Sequence, residues 1–263
     1  MSNTQNKYFF ISGLPRAGST LLSTILNQNP KFQASISGPL ARFTRAIIEQ
    51  SSDQGGYRFQ CPVEKRKELI TNLFDTYYNI PGKEVYFDTN RGWSMMLPLI
   101  KDLFPYTKVI LTVRDINWIL DSFEQLARKN IYDLSSMFSP EENVNVYTRC
   151  STLMREDRTL GFAYMALKQA LYSKEKDMLF ILDYDKLATK PEQTMKMIHN
   201  FLDLNDHNFN YDFNNVEASY DEFDADVNLK GLHTIRRKVE KLDRLSILPP
   251  DILQTFKDFS VWR

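Results

Sequence analysis

The 263-residue chain contains little cysteine: Cys61 and Cys150 are its only two. Two cysteines are too few for a disulfide framework, and neither lies in a CxxC pair or in a cysteine/histidine cluster with metal-ligand spacing. We therefore expect both thiols to be unpaired and structural, and we expect the protein to require no metal.

Long apolar runs and an excess of one charge are also missing. No apolar stretch approaches the length that spans a bilayer, and residues 1–7 lack the basic start and apolar core of a signal peptide. The 33 basic residues are balanced by 33 acidic ones, which excludes the overall positive field that attracts nucleic acid or anionic membranes. The expectation is a cytoplasmic protein without a nucleic-acid or membrane partner, in which any anion site is local.

The order of apolar segments indicates the fold class. Hydrophobic residues make up 43% of the chain and charged residues 25%, as in an ordinary globular protein. Short apolar runs at residues 8–12, 85–87, 109–113 and 178–182 predict strands, each followed by a segment with the apolar spacing of a helix. Helical stripes also occur in the long connections. The alternation predicts one α/β domain over residues 1–263, with a parallel sheet and helical insertions.

The first predicted strand runs into a glycine-bounded loop, GLPRAGST, at residues 13–20. The amides of such a loop and of the helix after it can cradle an anion. The spacing of Gly13 and Gly18 is similar to that of a Walker A loop, but Ser19 occupies the position of the essential lysine and Arg16 is the nearby cation. A sulfuryl group carries less charge than a γ-phosphate and can be handled by cations and hydroxyls, so the substitution favours sulfuryl over phosphoryl transfer.

Three motifs resemble those of the PAPS-dependent sulfotransferase family and occur in the family's order. FISGLPRAGSTLL at residues 10–22 resembles the 5′-phosphosulfate loop, PR/PK-S-G-T-T-L, with Ala17 in place of the usual serine. Arg114, with Ser122 eight residues later, resembles the 3′-phosphate motif, in which Trp118 here stands at a usually acidic position. ILDYDKL at residues 181–187, with the later KP and FLDL, resembles the YEDL … P … FLGL segment. Together the motifs anchor about residues 8–204.

This resemblance implies a three-layer fold of the P-loop nucleotide-binding type. It also implies a co-substrate, 3′-phosphoadenosine-5′-phosphosulfate (PAPS), which leaves as 3′,5′-ADP (PAP). The residues implied to bind it are Pro15, Arg16, Ala17, Gly18, Ser19, Thr20, Arg114, Ser122 and Tyr184. For Tyr184, the alternative is a buried strand-end side chain without direct contact. Cytosolic relatives use a late basic segment against the 3′-phosphate, and here Arg236 or Arg237 is expected to serve; the alternative is a solvated helix face.

Sulfuryl transfer needs a base for the acceptor and donors for the charge that collects on the departing PAP. Arg16 and the loop amides suit the second role. For the base, Asp88 stands at the end of a predicted strand, where several branches of the family place a catalytic His or Glu, and burial would raise its pKa. The alternative is that Asp88 pairs with Arg91 or caps the next helix. His233, close to the basic run at residues 236–238, is the second candidate base.

Two other functions remain open at this point. One is a small-molecule kinase on the same P-loop architecture, which the missing loop lysine argues against and which ATP turnover requiring Mg²⁺ would restore. The other is a catalytically silent protein that binds PAPS or PAP, which tight PAP binding without transfer would favour. The expected acceptor is a small molecule or peptide with a hydroxyl or amine. Its identity and the oligomeric state cannot be read from this sequence.

Overall fold

The computed structural model describes residues 7–52, 57–132, 137–204 and 209–263. Its centre is a sheet of five parallel strands in the order β2-β3-β1-β4-β5. The strands are β1 (Lys7–Gly13), β2 (Phe32–Ala34), β3 (Val85–Thr89), β4 (Val109–Val113) and β5 (Leu179–Asp183).

The helices of the described segments follow the strands or fill the connections between them. They are α1 (Ser19–Leu26), α2 (Leu40–Ser52), α3 (Tyr57–Gln60), α4 (Val63–Tyr77), α5 (Leu97–Leu103), α6 (Ile116–Lys129), α7 (Val146–Met154), α8 (Thr159–Leu171), α9 (Tyr184–Thr189), α10 (Pro191–Phe201), α11 (Asp221–Asp226) and α12 (Pro250–Thr255). A 3₁₀ turn, Arg91–Met95, follows β3 directly.

Helices cover both faces of the sheet. On β1, Phe9 and Ile11 pack with residues of α1 and α10, whereas Tyr8 and Phe10 pack with residues of α4 and α8. This division is the two-residue period of a strand that is buried on both sides. The predicted three-layer α/β fold with a parallel sheet is confirmed.

Four of the five strands were predicted, and β2 was not. It has three residues, pairs with β3 and lies at one edge of the sheet. Phe32 and Ala34 are buried, but a three-residue segment is too short to show the alternation by which a strand is recognised. The helical insertions were predicted from their apolar stripes, and α4 and α8 occupy those stripes.

Other features of the sequence have a place in the fold. Cys61 and Cys150 are both free thiols, and Cys150 is buried. Within the described segments, no helix combines the length and apolar character needed to cross a bilayer. The same segments contain no group of three or more His, Cys, Asp or Glu side chains placed to hold a metal ion.

Candidate functional site

The loop between β1 and α1 is built around two glycines that no other residue could replace without displacing a neighbour. Gly13 and Gly18 have φ of 102° and 91°, in the left-handed region that disfavours side chains. A Cβ at Gly13 would overlap the Thr112 carbonyl oxygen of β4 and lie 2.7 Å from its amide nitrogen. A Cβ at Gly18 would lie 2.8 Å from the Tyr184 ring. The loop is therefore pressed between β4 and the start of α9.

Gly18 also leaves the N-terminus of α1 open. It is the N-cap residue and has no side chain to accept hydrogen bonds from the first-turn amides. Ser19 and Thr20, the first two residues of α1, line a cleft at this end of the sheet. Amides, hydroxyls and the positive end of the helix dipole thus face the same space, which suits a phosphate or sulfate group.

Arg16, Ser122, Arg114 and Tyr184 come together at the loop. Arg16 Nε donates to Ser122 Oγ over 3.0 Å, and Arg114 Nη1 donates to the Arg16 carbonyl oxygen over 3.4 Å. The Arg114 guanidinium carbon lies 4.2 Å from the centre of the Tyr184 ring, a cation–π contact. The carboxyl ends of β1, β4 and β5 thus deliver three separate motifs to one place, as expected for a parallel sheet.

Arg91 adds a third guanidinium to this cluster. It begins the 3₁₀ turn after β3 and lines the cleft. Although cleft solvent reaches its side chain, the surrounding protein and, second, the charge of Arg16 together lower its pKa to about 10. Burial, followed by the charge of Arg114, also lowers the pKa of Arg16. Like charges held close together and partly away from water repel one another, and a bound anion offsets that repulsion.

Within the described part of the chain, this cluster forms no ion pair with a carboxylate. Among the described residues, no carboxylate lies within ion-pair distance of Arg16, Arg91 or Arg114. Arg114 Nε is buried and has no hydrogen-bond partner in the described part of the chain. Burial is the first cause of the lowered pKa of Arg114. A buried donor without an acceptor is costly, so this nitrogen indicates a site for an external acceptor.

The cleft that holds these groups has a volume of about 1370 Å³. Ten basic and three acidic side chains line it, although the charges of the whole chain balance. The glycine loop and the late segment around residues 231–242 both line it, and they touch where Arg16 donates to the Leu232 carbonyl oxygen. Basic side chains of this balanced chain are therefore concentrated at the carboxyl edge of the sheet, as a local anion site would require.

The other residues predicted to bind the co-substrate are placed differently from one another. Pro15 and Ala17 are buried within the loop and are not among the residues that line the cleft. Arg236 lines the cleft. Arg237 instead pairs with Glu217 and donates to Asn215 Oδ1 over 2.7 Å. The expectation that one arginine of this pair would serve therefore points to Arg236.

Asp88 is buried behind the cleft wall, with 1% of its surface exposed. Its Oδ2 accepts from the Tyr78 hydroxyl over 2.6 Å, and its Oδ1 accepts from Trp93 Nε1 over 2.7 Å. Burial raises its pKa, and the two hydrogen bonds oppose that rise. It neither pairs with Arg91 nor caps the next turn, which Asn90 caps instead. This geometry favours a structural tie between β3, α4 and the 3₁₀ turn over a role as a base.

His233, the second candidate base, lines the cleft and is held by Asp224 of α11. The His233 Nδ1 lies 2.7 Å from Asp224 Oδ1, and Asp224 is 2% exposed. Burial lowers the pKa of His233, and the charges of Arg16 and Arg91 also lower it, against the opposing effect of Asp224. Sequence reasoning had missed both Asp224 and the cleft position of Arg91.

The comparisons with known proteins agree with this site. Residues 9–208, about three quarters of the chain, match the model of the sulfotransferase family. The chain belongs to the sulfotransferase family. A Caenorhabditis briggsae protein assigned as a candidate protein-tyrosine sulfotransferase is 21% identical over 287 positions, covering 100% of this chain and 95% of that protein.

Two solved structures are similar in fold to this sulfotransferase. The sulfotransferase of Alicyclobacillus acidocaldarius has a TM-score of 0.51 at 18% identity, covering 85% of this chain and 92% of that one. Retinol dehydratase in complex with retinol and PAP has a TM-score of 0.50 at 14% identity, covering 98% of this chain and 81% of that one. At such identities the likeness shows the shared fold.

Proposed function

We propose that this sulfotransferase moves the sulfuryl group of PAPS to a hydroxyl or amine of an acceptor and releases PAP. The observation that carries the proposal is the meeting of Arg16, Arg91 and Arg114 at the glycine loop, where no described carboxylate forms an ion pair with them. PAPS carries anionic groups at both its 5′ and 3′ positions, and so matches a cleft with cations on more than one strand end.

The chain's residues divide between the two anionic ends of PAPS. The α1 amides, Ser19 and Thr20 suit the 5′-phosphosulfate, because hydroxyls and a helix N-terminus converge there. Arg114, with its free buried Nε, suits the 3′-phosphate, and Arg236 of the late segment, which also lines the cleft, can contribute to binding the same phosphate. Retinol dehydratase, which shares this fold, is known in complex with PAP.

Arg16 and Arg91 suit the charge that collects on the departing PAP. Preorganised cations at the place where negative charge develops stabilise the transition state more than the ground state. Arg16 is fixed by its bonds to Ser122 and to the Leu232 carbonyl, so it needs little rearrangement during the reaction. For the acceptor, two relatives indicate the range: one is named for protein tyrosine and one is complexed with retinol. We propose a small-molecule or peptide acceptor.

Thermal unfolding and calorimetry with PAP test the proposal directly. PAP should raise the melting temperature in the presence of EDTA, since a ligand that binds the folded state stabilises it by mass action. ATP with Mg²⁺ should do so poorly. A kinase would show the reverse order. Absence of any shift with PAP, from protein shown to be folded, would overturn the proposal.

Arg114→Ala then tests the division of the site. It should weaken PAP by roughly 10- to 150-fold, the loss of a charge-assisted contact of about 1.5–3 kcal/mol, but weaken adenosine 5′-phosphosulfate, which lacks the 3′-phosphate, much less. Arg237→Ala is the matched control, because that side chain is paired outside the cleft. Equal losses for both nucleotides would show that Arg114 only holds the strand end.

A further inference from the structure

The ring of His233 is fixed in the cleft wall, in a segment that contacts the glycine loop. Its Nδ1 is held by Asp224, and the Phe223 ring packs against the imidazole in a T-shaped pair with centroids 4.8 Å apart. Only 11% of the His233 side chain is exposed, yet it lines the cleft. We propose that His233 is the general base of the sulfuryl transfer and that Asp224 is the residue that positions it. This inference rests on the proposed function.

Asp224 is itself held so that it can only accept. The His233 amide donates to its Oδ1 and Oδ2 over 3.2 and 3.1 Å, and the Gly231 amide donates to Oδ2 over 3.1 Å. With amide donors on the carboxylate, the ring nitrogen at 2.7 Å must also donate. Nδ1 therefore carries the proton, and the lone pair is on Nε2. A carboxylate that fixes tautomer and orientation is the usual partner of a histidine base.

The base and the loop are joined by one hydrogen bond. Arg16 donates through Nη1 to the carbonyl oxygen of Leu232, the residue before His233. Arg16, which is expected to bind the departing phosphate, thus contacts the residue next to His233, which is expected to take the proton. This coupling matters because proton transfer and departure of PAP must act on opposite sides of the same sulfur.

The step balances as follows. The acceptor oxygen donates its lone pair to sulfur and forms the new S–O bond while its proton moves to His233 Nε2. The S–O bond to the 5′-phosphate breaks, and its electron pair stays on the phosphate oxygen of PAP beside Arg16. The imidazolium that results is stabilised by Asp224 and later returns its proton to water.

Charges on three elements set the ionisation of His233. Asp224 of α11 favours the charged ring, whereas Arg16 of the loop and Arg91 of the 3₁₀ turn oppose it, and burial opposes it most. The net effect lowers the pKa of His233, so the ring is neutral and able to accept a proton at neutral pH. Removing the Asp224 charge should lower this pKa further.

Two variants and one control test the proposal by PAP release from PAPS, with water as the acceptor, across a range of pH. His233→Gln should reduce the rate by roughly 100- to 10,000-fold. Asp224→Asn should lower the plateau rate and move the acid limb of the profile to lower pH. Asp221→Asn, on the same helix but exposed and bonded to Ser219, should leave both unchanged. If Asp224→Asn lowers the rate equally at every pH and leaves the acid limb of the pH–rate profile at its wild-type position, the positioning role of Asp224 is overturned.

Nitrogen NMR of the PAP-bound protein decides the tautomer without turnover. The His233 signals are identified by their loss in His233→Gln, and we expect a proton on Nδ1 at neutral pH. A proton on Nε2, or a charged ring, would overturn the proposal. PAP affinity separates the proposed function from the base role of His233. His233→Gln, Asp224→Asn and Asp221→Asn should all bind PAP within about two-fold of the wild type. Wild-type protein that fails to bind PAP refutes the proposed function, whereas normal binding with normal His233→Gln turnover refutes only the base.

Discussion

Replacing Gly18 by alanine separates two costs that the glycine loop avoids. The first is backbone strain, since φ is 91° and an L-residue in the left-handed region is disfavoured by about 1–2 kcal/mol. Gly82 gives a matched control, because its φ is 82° and a Cβ there would have nothing within 4 Å. Alanine also restricts the unfolded chain, which offsets about 0.4–1 kcal/mol at either site. Gly82→Ala should therefore cost about 1 kcal/mol or less.

The second cost exists only at Gly18. Its alanine Cβ would lie 2.8 Å from Tyr184 Cδ2, closer than real contacts allow, so the ring must move. Moving it also disturbs the stack on Arg114, now at 4.2 Å. Overpacking of this kind costs about 1–3 kcal/mol. Gly18→Ala should therefore destabilise the fold by roughly 1–4 kcal/mol, more than Gly82→Ala does, and it should weaken PAP binding, which Gly82→Ala should not do.

Urea unfolding of four proteins measures the clash by itself: wild type, Gly18→Ala, Tyr184→Ala and the double variant. Tyr184→Ala removes the ring, so Gly18→Ala added to it should cost only what Gly82→Ala costs. The expected coupling free energy is about 1–3 kcal/mol. A coupling within about 0.5 kcal/mol of zero, or a Gly18→Ala variant as stable as Gly82→Ala, would refute the close packing of the loop against α9.

Two further predictions follow from buried contacts. Gly13→Ala should destabilise the fold more than Gly18→Ala, because its Cβ meets the backbone of Thr112 and not a side chain that can move. Circular dichroism should show loss of folded protein. A stable Gly13→Ala variant would contradict the β1–β4 geometry. Asp88→Asn should keep PAP affinity and cost about 1–3 kcal/mol in unfolding free energy. Burial holds the pKa of Asp88 in the folded protein above its value in the unfolded chain. Protonation of Asp88 therefore stabilises the fold fully below the unfolded pKa, and this stabilisation is lost as pH rises through the folded pKa. Asp88→Asn should remove that dependence, and a turnover loss of about 100-fold with intact stability would instead make Asp88 the base.

The sequence predicted the parts of the fold that depend on local pattern. The strands β1, β3, β4 and β5 are apolar runs that end near glycine or charged residues. Burial on both faces explains such a run in β1, β3 and β4, whereas β5, at the sheet edge, is only partly buried. Arg16, Arg114, Ser122 and Tyr184 could be predicted as one group because their motifs follow strand ends, and parallel strands end at one edge.

The remaining contacts could not be predicted, because they join segments far apart in sequence. Asp88 looked like a base by its position at a strand end, but its neighbours Tyr78 and Trp93 determine its surroundings, and neither carries a signal of that contact. Asp224 lies in an acidic helix, DEFDAD, where nothing distinguishes the one carboxylate that turns inward. Arg91 carried a usable signal, a cation just after a predicted strand.

Trp118 shows how a departure from the family pattern is accommodated. Its ring lies 4.9 Å from the guanidinium carbon of Arg244, which pairs with the fully buried Asp121. Asp121 Oδ2 also accepts from the Ser246 hydroxyl and from the Ile247 amide, each over 2.8 Å. The acid missing from position 118 is thus present three residues later on α6, next to Ser122, where it fixes the late segment and not the ligand.

The site therefore has two parts with different origins in the sequence. The family match covers residues 9–208, which include the loop, Arg114, Ser122 and Tyr184. The late segment, with His233 and Arg236, and Asp224 of α11 lie beyond residue 208. Binding of one co-substrate requires one set of cations, whereas the position of the base depends on the acceptor. If His233 is the base, the part of the chain beyond residue 208 supplies it, and the hydrogen bond from Arg16 to the Leu232 carbonyl oxygen holds that part against the glycine loop.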